Sequence, residues 1–207
     1  DSRVIPVFNC QYRVNNEEDN IASDLFYACL DNNFYWNQDG DTINGEVNDN
    51  IDLGADVIVT RIMGNTPSDI SAYVSRVLEY EKNPASDKWN KKMLLCGNTL
   101  NNEGDAKVKG MELYNRYINP YWNGARYCFY DTYNYFAGGD NYPFTPNNIN
   151  EQLSQRFPFV NITTHGSITS FTTETTPYTT LNVDDLSNQG YTVITTEACY
   201  TNNINTS

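Results

Sequence analysis

The apolar positions of this chain cluster in short, often β-branched runs separated by stretches with helical spacing. The runs predict strands over 56–60, 93–96, 126–130, 159–163 and 192–196. Between the first two, Thr66 reads as an N-cap, Pro67 as the first helical residue and Asp69 as the partner in a capping box. Ile70, Val74, Val77 and Leu78 then share one face, so this helix is predicted to run to about Asn83-Pro84. A second helix is predicted after Gly104, with Val108, Met111, Tyr114 and Ile118 on one face and Pro120 ending it. Thr145-Pro146 followed by Ile149, Leu153 and Phe157 marks a third. Strands alternating with crossover helices predict an α/β fold built on a mostly parallel sheet.

Two regions break this rhythm. The first 50 residues are rich in Asn and Asp, with turn pairs at Asn32-Asn33, Asp39-Gly40 and Asn44-Gly45, and are predicted to be irregular surface structure. Residues 172–188, Thr-rich and containing Pro177, read as a long loop between the last two strands. At 207 residues with 39% hydrophobic content, the chain is long enough for one sizeable core. The predicted layout is one partial domain over 1–207, with the irregular region over 1–50 and the sheet with its functional strand ends over 51–207.

Charge narrows the partners. A formal net charge of -13 disfavours a nucleic-acid backbone and an anionic membrane surface, which both call for clustered Lys and Arg. No apolar run approaches the ~20 residues of a bilayer span. The five cysteines, Cys10, Cys29, Cys96, Cys128 and Cys199, include no CxxC pair and stand beside a single histidine, which fits no structural zinc template. Except for Cys199, they read as buried small hydrophobes or as members of a disulfide.

His165 is the only histidine, so any imidazole chemistry at neutral pH must use it. It follows the predicted strand 159–163, and Cys199 follows the next strand in the same way. Functional groups collect at the carboxyl ends of strands in an open parallel sheet, which places both where a site is expected. A thiolate attacks a peptide carbonyl, imidazole protonates the leaving amine, and backbone N–H groups near Gly166 and Cys199 are candidates to hold the oxyanion. The competing reading is a capping histidine and a buried cysteine that merely follow two strands.

His165-Gly166 with Glu197-Ala198-Cys199 resembles the His-Gly and Ala-Cys signature of the caspase-like cysteine peptidases, a group including caspases, legumains and gingipains. Within it the chain most resembles the gingipain family. Asp56-Val57-Ile58-Val59-Thr60-Arg61 resembles that family's Asp-x-x-x-Gly-Arg strand, with Thr60 in place of Gly, and Tyr80-Glu81-Lys82 its following helix. The resemblance implies a caspase-like α/β/α sandwich and a secreted or cell-surface bacterial cysteine endopeptidase acting on protein or peptide substrates. It also implies catalytic His165 and Cys199, no required cofactor and a propeptide as candidate partner. The family's acidic residue that orients the histidine has no match in Gly97-Asn98-Thr99-Leu100, leaving Asn98 or Glu103 as substitutes and a Cys–His dyad as the minimum machinery. Relatives also extend beyond both ends, so Ser207 is expected to be a boundary within a longer protein and the fragment alone to be inactive or poorly folded. A non-catalytic surface binding relative and a transpeptidase using the same acyl-enzyme are the alternative functions.

Two further sites complete the expectations. Asn37, Asp39 and Asp41, with Glu46 downstream, offer the hard oxygens of a structural calcium site, or simply an acidic turn in water. Asp105 aligns with the acidic residue that arginine-specific gingipains place in the pocket for the side chain before the scissile bond. It equally suits a helix N-cap.

Overall fold

The computed structural model of the chain describes residues 5–14, 17–31, 34–83, 91–101, 105–121, 125–130, 141–155, 157–188 and 190–201. Two compact units divide the chain, one comprising 1–73 with 203–207 and the other 74–202.

The first unit opens with an antiparallel hairpin of β1 (Phe8–Val14) and β2 (Glu17–Ser23). This hairpin corrects the expectation of wholly irregular structure over 1–50. Asn- and Asp-rich sequence still forms a ladder here because an antiparallel pair needs only backbone groups and one favourable face. Aromatic stacking supplies that face: Phe8 lies on Phe26 with ring centroids 4.1 Å apart, and Trp36 stacks on Phe34 at 5.2 Å. The carboxylate of Asp49 is wholly buried, and its oxygens accept from Gln38 N–H at 2.6 Å and Glu46 N–H at 3.1 Å.

Residues 56–60 are not a strand. The short helix α1 (Leu25–Ala28) ends with unsatisfied carbonyls, and the Ala28 oxygen takes the N–H groups of Asp56 and Val57 at 3.0 and 3.4 Å. Asp56 in turn accepts from Leu30 N–H at 2.7 Å. The apolar run is therefore spent on closing a helix end, and Ile58 is left 96% exposed. Its neighbour Arg61 joins the unit together. The guanidinium forms a two-pronged pair with Asp24, at 2.9 and 2.5 Å, and donates to the Ile5 and Pro6 carbonyls at 2.9 and 3.1 Å.

Helix α2 (Pro67–Lys82) spans the division between the units and begins as the sequence indicates. Thr66 Oγ1 accepts from Asp69 N–H at 3.2 Å, and Asp69 accepts from Thr66 and Asn65 N–H at 2.8 and 3.0 Å. Its predicted buried face is a second correction: Ile70, Val74 and Leu78 are 37–45% exposed. With 56–60 outside any sheet, the helix lacks the strand that its apolar face would cover.

The second unit holds the sheet. Strands β3 (Lys92–Gly97), β4 (Ala125–Tyr130), β5 (Asn141–Pro143), β6 (Phe159–Thr163) and β9 (Val193–Glu197) lie in the order β5-β4-β3-β6-β9, all parallel. Central β3 alternates between two cores. Leu94 and Cys96 pack with Phe144, Val160 and Ile162 beneath α4 (Pro146–Ser154), which contributes Ile149 and Leu153. On the other face, Met93 and Leu95 pack with Ala106 and Met111 of α3 (Asp105–Glu112) and with Tyr114 and Ile118 of the π-helical turn that continues it. Helices on both faces of a parallel sheet make the α/β/α arrangement expected from the sequence.

The predicted loop over 172–188 is partly ordered: β8 (Tyr178–Thr179) pairs with β7 (Ser170–Phe171), and α5 (Thr180–Asp184) follows. Phe171 and Tyr178 stack at 4.8 Å over the first core. Burial, then the charge of Asp185, pushes the Tyr178 phenol up to about 12, and its hydroxyl donates to Asn150 Oδ1 at 2.6 Å.

Two outcomes check this description. Arg61→Met should destabilise the protein by about 2 kcal/mol, the scale of charge-assisted bonds lost from a mostly buried site. Arg61→Lys should recover only part of that, since an ammonium cannot span a carboxylate and two carbonyls together. Equal urea midpoints for the wild type and the Arg61→Lys variant would remove the guanidinium from this role. The second outcome concerns pH. The Thr66 side chain, followed by the Thr66 and Asn65 N–H groups, holds the Asp69 carboxyl below its ordinary range. A folded-state value below the unfolded one stabilises above the unfolded value and loses that stabilisation as pH falls through the folded value. The stability difference between wild type and Asp69→Ala should therefore be full above about pH 5 and shrink below about pH 4. A difference that stays constant from pH 6 to pH 3 contradicts it.

Candidate active site

The strand order reverses between β3 and β6: the chain runs outward through β4 and β5 on one side, then returns to lay β6 and β9 on the other. Loops leaving the carboxyl ends of two strands at such a reversal part to opposite faces and leave a crevice. His165 follows β6 beyond Thr164, at the strand end where this rule expects a site, and Cys199 lies at the same end of the neighbouring strand β9.

Hydrogen bonds extend each ladder past its last strand residue. Asn98 N–H donates to the Thr163 carbonyl at 3.1 Å, and Thr164 N–H donates to the Glu197 carbonyl at 3.1 Å. Thr163 and Thr164 are each 2% exposed, so the histidine leaves a rigid, buried backbone. Beyond it the chain doubles back as a tight hairpin. Thr172 N–H donates to the His165 carbonyl at 2.8 Å, Ser167 N–H donates to the Ser170 carbonyl at 2.7 Å, and Thr164 Oγ1 donates to the Thr172 carbonyl at 2.7 Å.

His165 is itself exposed, and its Nε2 lies 2.7 Å from the Leu100 carbonyl oxygen in the loop after β3. A carbonyl has no proton, so Nε2 carries the hydrogen and donates, and in the neutral ring this tautomer places the lone pair on Nδ1. A backbone carbonyl thus orients the ring where a carboxylate was expected. Of the two residues considered for that role, Asn98 is engaged elsewhere, donating through Nδ2 to the Thr173 carbonyl at 3.3 Å. Glu103 lies outside the described residues.

Gly166 joins the histidine to the cysteine. It faces Phe171 in a bridge whose flanking bonds are made by its neighbours, so its own N–H points out of the hairpin. A side chain here would collide with the Cys199 carbonyl oxygen and lie 3.0 Å from the Ala198 carbonyl carbon. Only glycine allows the histidine turn to lie directly against the backbone before the thiol.

Cys199 is exposed and carries a free thiol. Tyr200, immediately after it, takes φ 59°, a left-handed conformation that a bulky residue adopts at a cost of roughly 1–2 kcal/mol. Two residues before the thiol, Glu197 pairs with Lys109 of α3 at 2.7 Å, both side chains about half-exposed. Among the other described cysteines, Cys96 is buried while Cys10 and Cys29 are half-buried thiols; burial pushes the Cys10 thiol up. The side chain of Cys128 lies outside the described residues.

Asp105 is the first residue of α3, and its side chain lies outside the described residues. In the first unit, the carboxylates of Asp39, Asp41 and Glu46 offer oxygens within 4.8 Å of one another. These groups also close local turns: Asp41 N–H donates to Asp39, Ile43 N–H to Asp41, and Asn37 Nδ2 to the Asp41 carbonyl.

Sequence reasoning identified His165, Gly166 and Cys199, which the fold brings to one end of the sheet. It missed Leu100, because every residue carries a carbonyl and no side-chain pattern announces which one is used. It also assigned no role to Lys109.

Among the described residues, no helix is long and apolar enough to cross a membrane. No curated protein and no solved structure matches the chain. The model of peptidase family C25 matches residues 1–207. With an exposed thiol and an oriented histidine at adjoining parallel strand ends, the chain belongs to peptidase family C25, the gingipain family of cysteine peptidases.

Proposed function

We propose that this chain provides the catalytic machinery of a secreted cysteine endopeptidase, with a Cys199–His165 dyad that works through a thioacyl-enzyme and cleaves after Arg or another basic residue. The observation that carries this reading is the orientation of His165. Its Nε2–H is fixed on the Leu100 carbonyl while Gly166 is pressed against the Ala198–Cys199 backbone.

In the forward step His165 Nδ1 takes the Cys199 proton, and Sγ attacks the carbonyl carbon of the scissile peptide bond. The carbonyl electron pair moves onto oxygen, where the N–H groups of Gly166 and Cys199 receive it. Collapse expels the amine, which takes the proton from His165, and leaves a thioester on Cys199. Water then attacks with His165 as base, and the acid product departs as the thiol regains its proton. Leu100 serves throughout by stabilising the imidazolium formed when Nδ1 is protonated, in the way a buried carboxylate does elsewhere but with a dipole instead of a charge.

Asp105 is the proposed specificity residue. A carboxylate at the start of α3 would pair with a substrate guanidinium through two parallel bonds, favouring Arg over Lys on geometry. Secretion is supported by the family resemblance.

Peptides carrying Arg, Lys or norleucine before the cleaved bond test this reading in the full-length protein. Cys199→Ala should abolish cleavage, and His165→Ala should lower kcat by about 10²–10⁴. Asp105→Asn should flatten the preference for Arg. Full activity without Cys199 would sink the mechanism, whereas equal cleavage of Arg and norleucine peptides by the wild type would discard only the Asp105 assignment. Gly166→Ala gives an independent check, since the added methyl must push the histidine turn off the nucleophile. A displacement of that kind should lower kcat/KM by about 10²-fold while the protein still melts cooperatively; unchanged kcat/KM would contradict the close packing.

A further inference from the structure

The turn that bears Cys199 is closed by two threonine hydroxyls. Thr201 Oγ1 lies 2.9 Å from the Ala198 carbonyl oxygen and donates to it, since the carbonyl has no proton. Thr196 Oγ1, on β9, lies 3.2 Å from Thr201 Oγ1. A hydroxyl has one proton, and that of Thr201 is committed to Ala198, so Thr196 is the donor in the second contact. The result is a directional chain from the Thr196 hydroxyl through the Thr201 hydroxyl to the Ala198 carbonyl. Each member that accepts a bond becomes a stronger donor to the next.

The carbonyl at the end of this chain belongs to the peptide unit between Ala198 and Cys199. The N–H of the same unit is that of Cys199, assigned above to the oxyanion. A peptide unit is planar and conjugated, so holding its C=O in place also sets the direction of its N–H. A bond accepted at the oxygen draws electron density from the nitrogen and makes that N–H a better donor. The other side of the unit is crowded by Gly166, and the chain leaves Cys199 through the left-handed Tyr200. Thr196, Cys199, Tyr200 and Thr201 are all exposed, so these hydroxyl bonds add little to the core and act locally.

We propose that Thr201, backed by Thr196, is a positioning residue that aims and polarises the Cys199 N–H toward the substrate oxyanion. This rests on the reading of Cys199 as the nucleophile. Thr201 touches no reacting atom itself; it acts through the Ala198–Cys199 peptide unit.

The test compares Thr201→Val, Thr201→Ser and Thr196→Val in the full-length protein. Two rates are read: peptide hydrolysis, and alkylation of Cys199 by iodoacetamide. Alkylation displaces iodide at a saturated carbon and forms no oxyanion, so it reports the thiolate and His165 but not the Cys199 N–H. Thr201→Val should lower kcat about three- to tenfold, the scale of one neutral hydrogen bond, with KM unchanged. Its alkylation rate should equal that of the wild type, Thr201→Ser should restore kcat, and Thr196→Val should show a smaller loss. Alkylation falling in parallel with kcat would overturn the proposal in favour of a turn that merely holds the sulfur. So would an unchanged kcat in Thr201→Val. If the Val variant melts at a lower temperature, the Ser variant and the alkylation rate still separate these outcomes. A wild type that neither cleaves peptide nor shows His165-dependent alkylation is a different result, which removes the dyad and this proposal with it.

Discussion

The carboxyl end of β3 is where two runs of parallel strands diverge, β4 and β5 to one side and β6 and β9 to the other, and the candidate catalytic groups all hang from that divergence. Parallel pairing brings the ends of β3, β6 and β9 level, because the register aligns Gly97 with Thr163 and Thr163 with Glu197. The residues that follow these three ends, Leu100, His165 and Cys199, therefore lie at the same end of the sheet, with His165 bonded to Leu100 and Gly166 packed against the Cys199 backbone. The constraint is sustained by burial on both faces of β3, with Leu94 and Leu95 fully enclosed on opposite sides. Neither face can slip without exposing one core or the other.

Most of the site's organisation comes from backbone atoms. A carbonyl orients the histidine, an absent side chain at Gly166 lets two turns meet, and the outward-pointing N–H of Gly166 is spared by the hairpin that carries it. Backbone groups on strand ends are held by the ladder itself, so they are already in place before substrate arrives and need little reorganisation during reaction. Two side chains bond to this frame from outside, Thr201 to the Ala198 carbonyl and Lys109 to Glu197. An exposed pair such as Lys109 with Glu197 contributes at most about 1 kcal/mol to stability, so its interest lies in where Glu197 stands, two residues before Cys199.

In the first unit, polar groups take the organising role that the sheet takes in the second. Arg61 gathers Asp24 and two carbonyls from segments distant in sequence, and the buried Asp49 gathers two N–H groups from the loop before it. Such hubs suit a region poor in continuous apolar runs, where the aromatic side chains stack on one another.

The sequence by itself determined the elements whose signals are local. Thr66 with Asp69 and Thr145 with Pro146 announce helix starts because capping is decided within four residues. Four of the five predicted strands were legible from their short apolar or β-branched runs; β3 is buried from Met93 to Gly97, whereas β9 is exposed along its length. The single histidine and the cysteine at matching strand ends were likewise readable, since parallel topology converts position along the chain into position in space. Only the tertiary structure decided the rest. Residues 56–60 have the composition of a strand, but strand formation needs a partner, and the Ala28 carbonyl claims the N–H groups of Asp56 and Val57 instead. The β1–β2 hairpin was hidden because its pairing depends on backbone groups that Asn- and Asp-rich sequence carries as well as any other. The Leu100 carbonyl and the Thr201 hydroxyl could not be assigned from sequence for a shared physical reason: which acceptor or donor a group meets is specified by where the sheet and its turns put them, not by which residues they are.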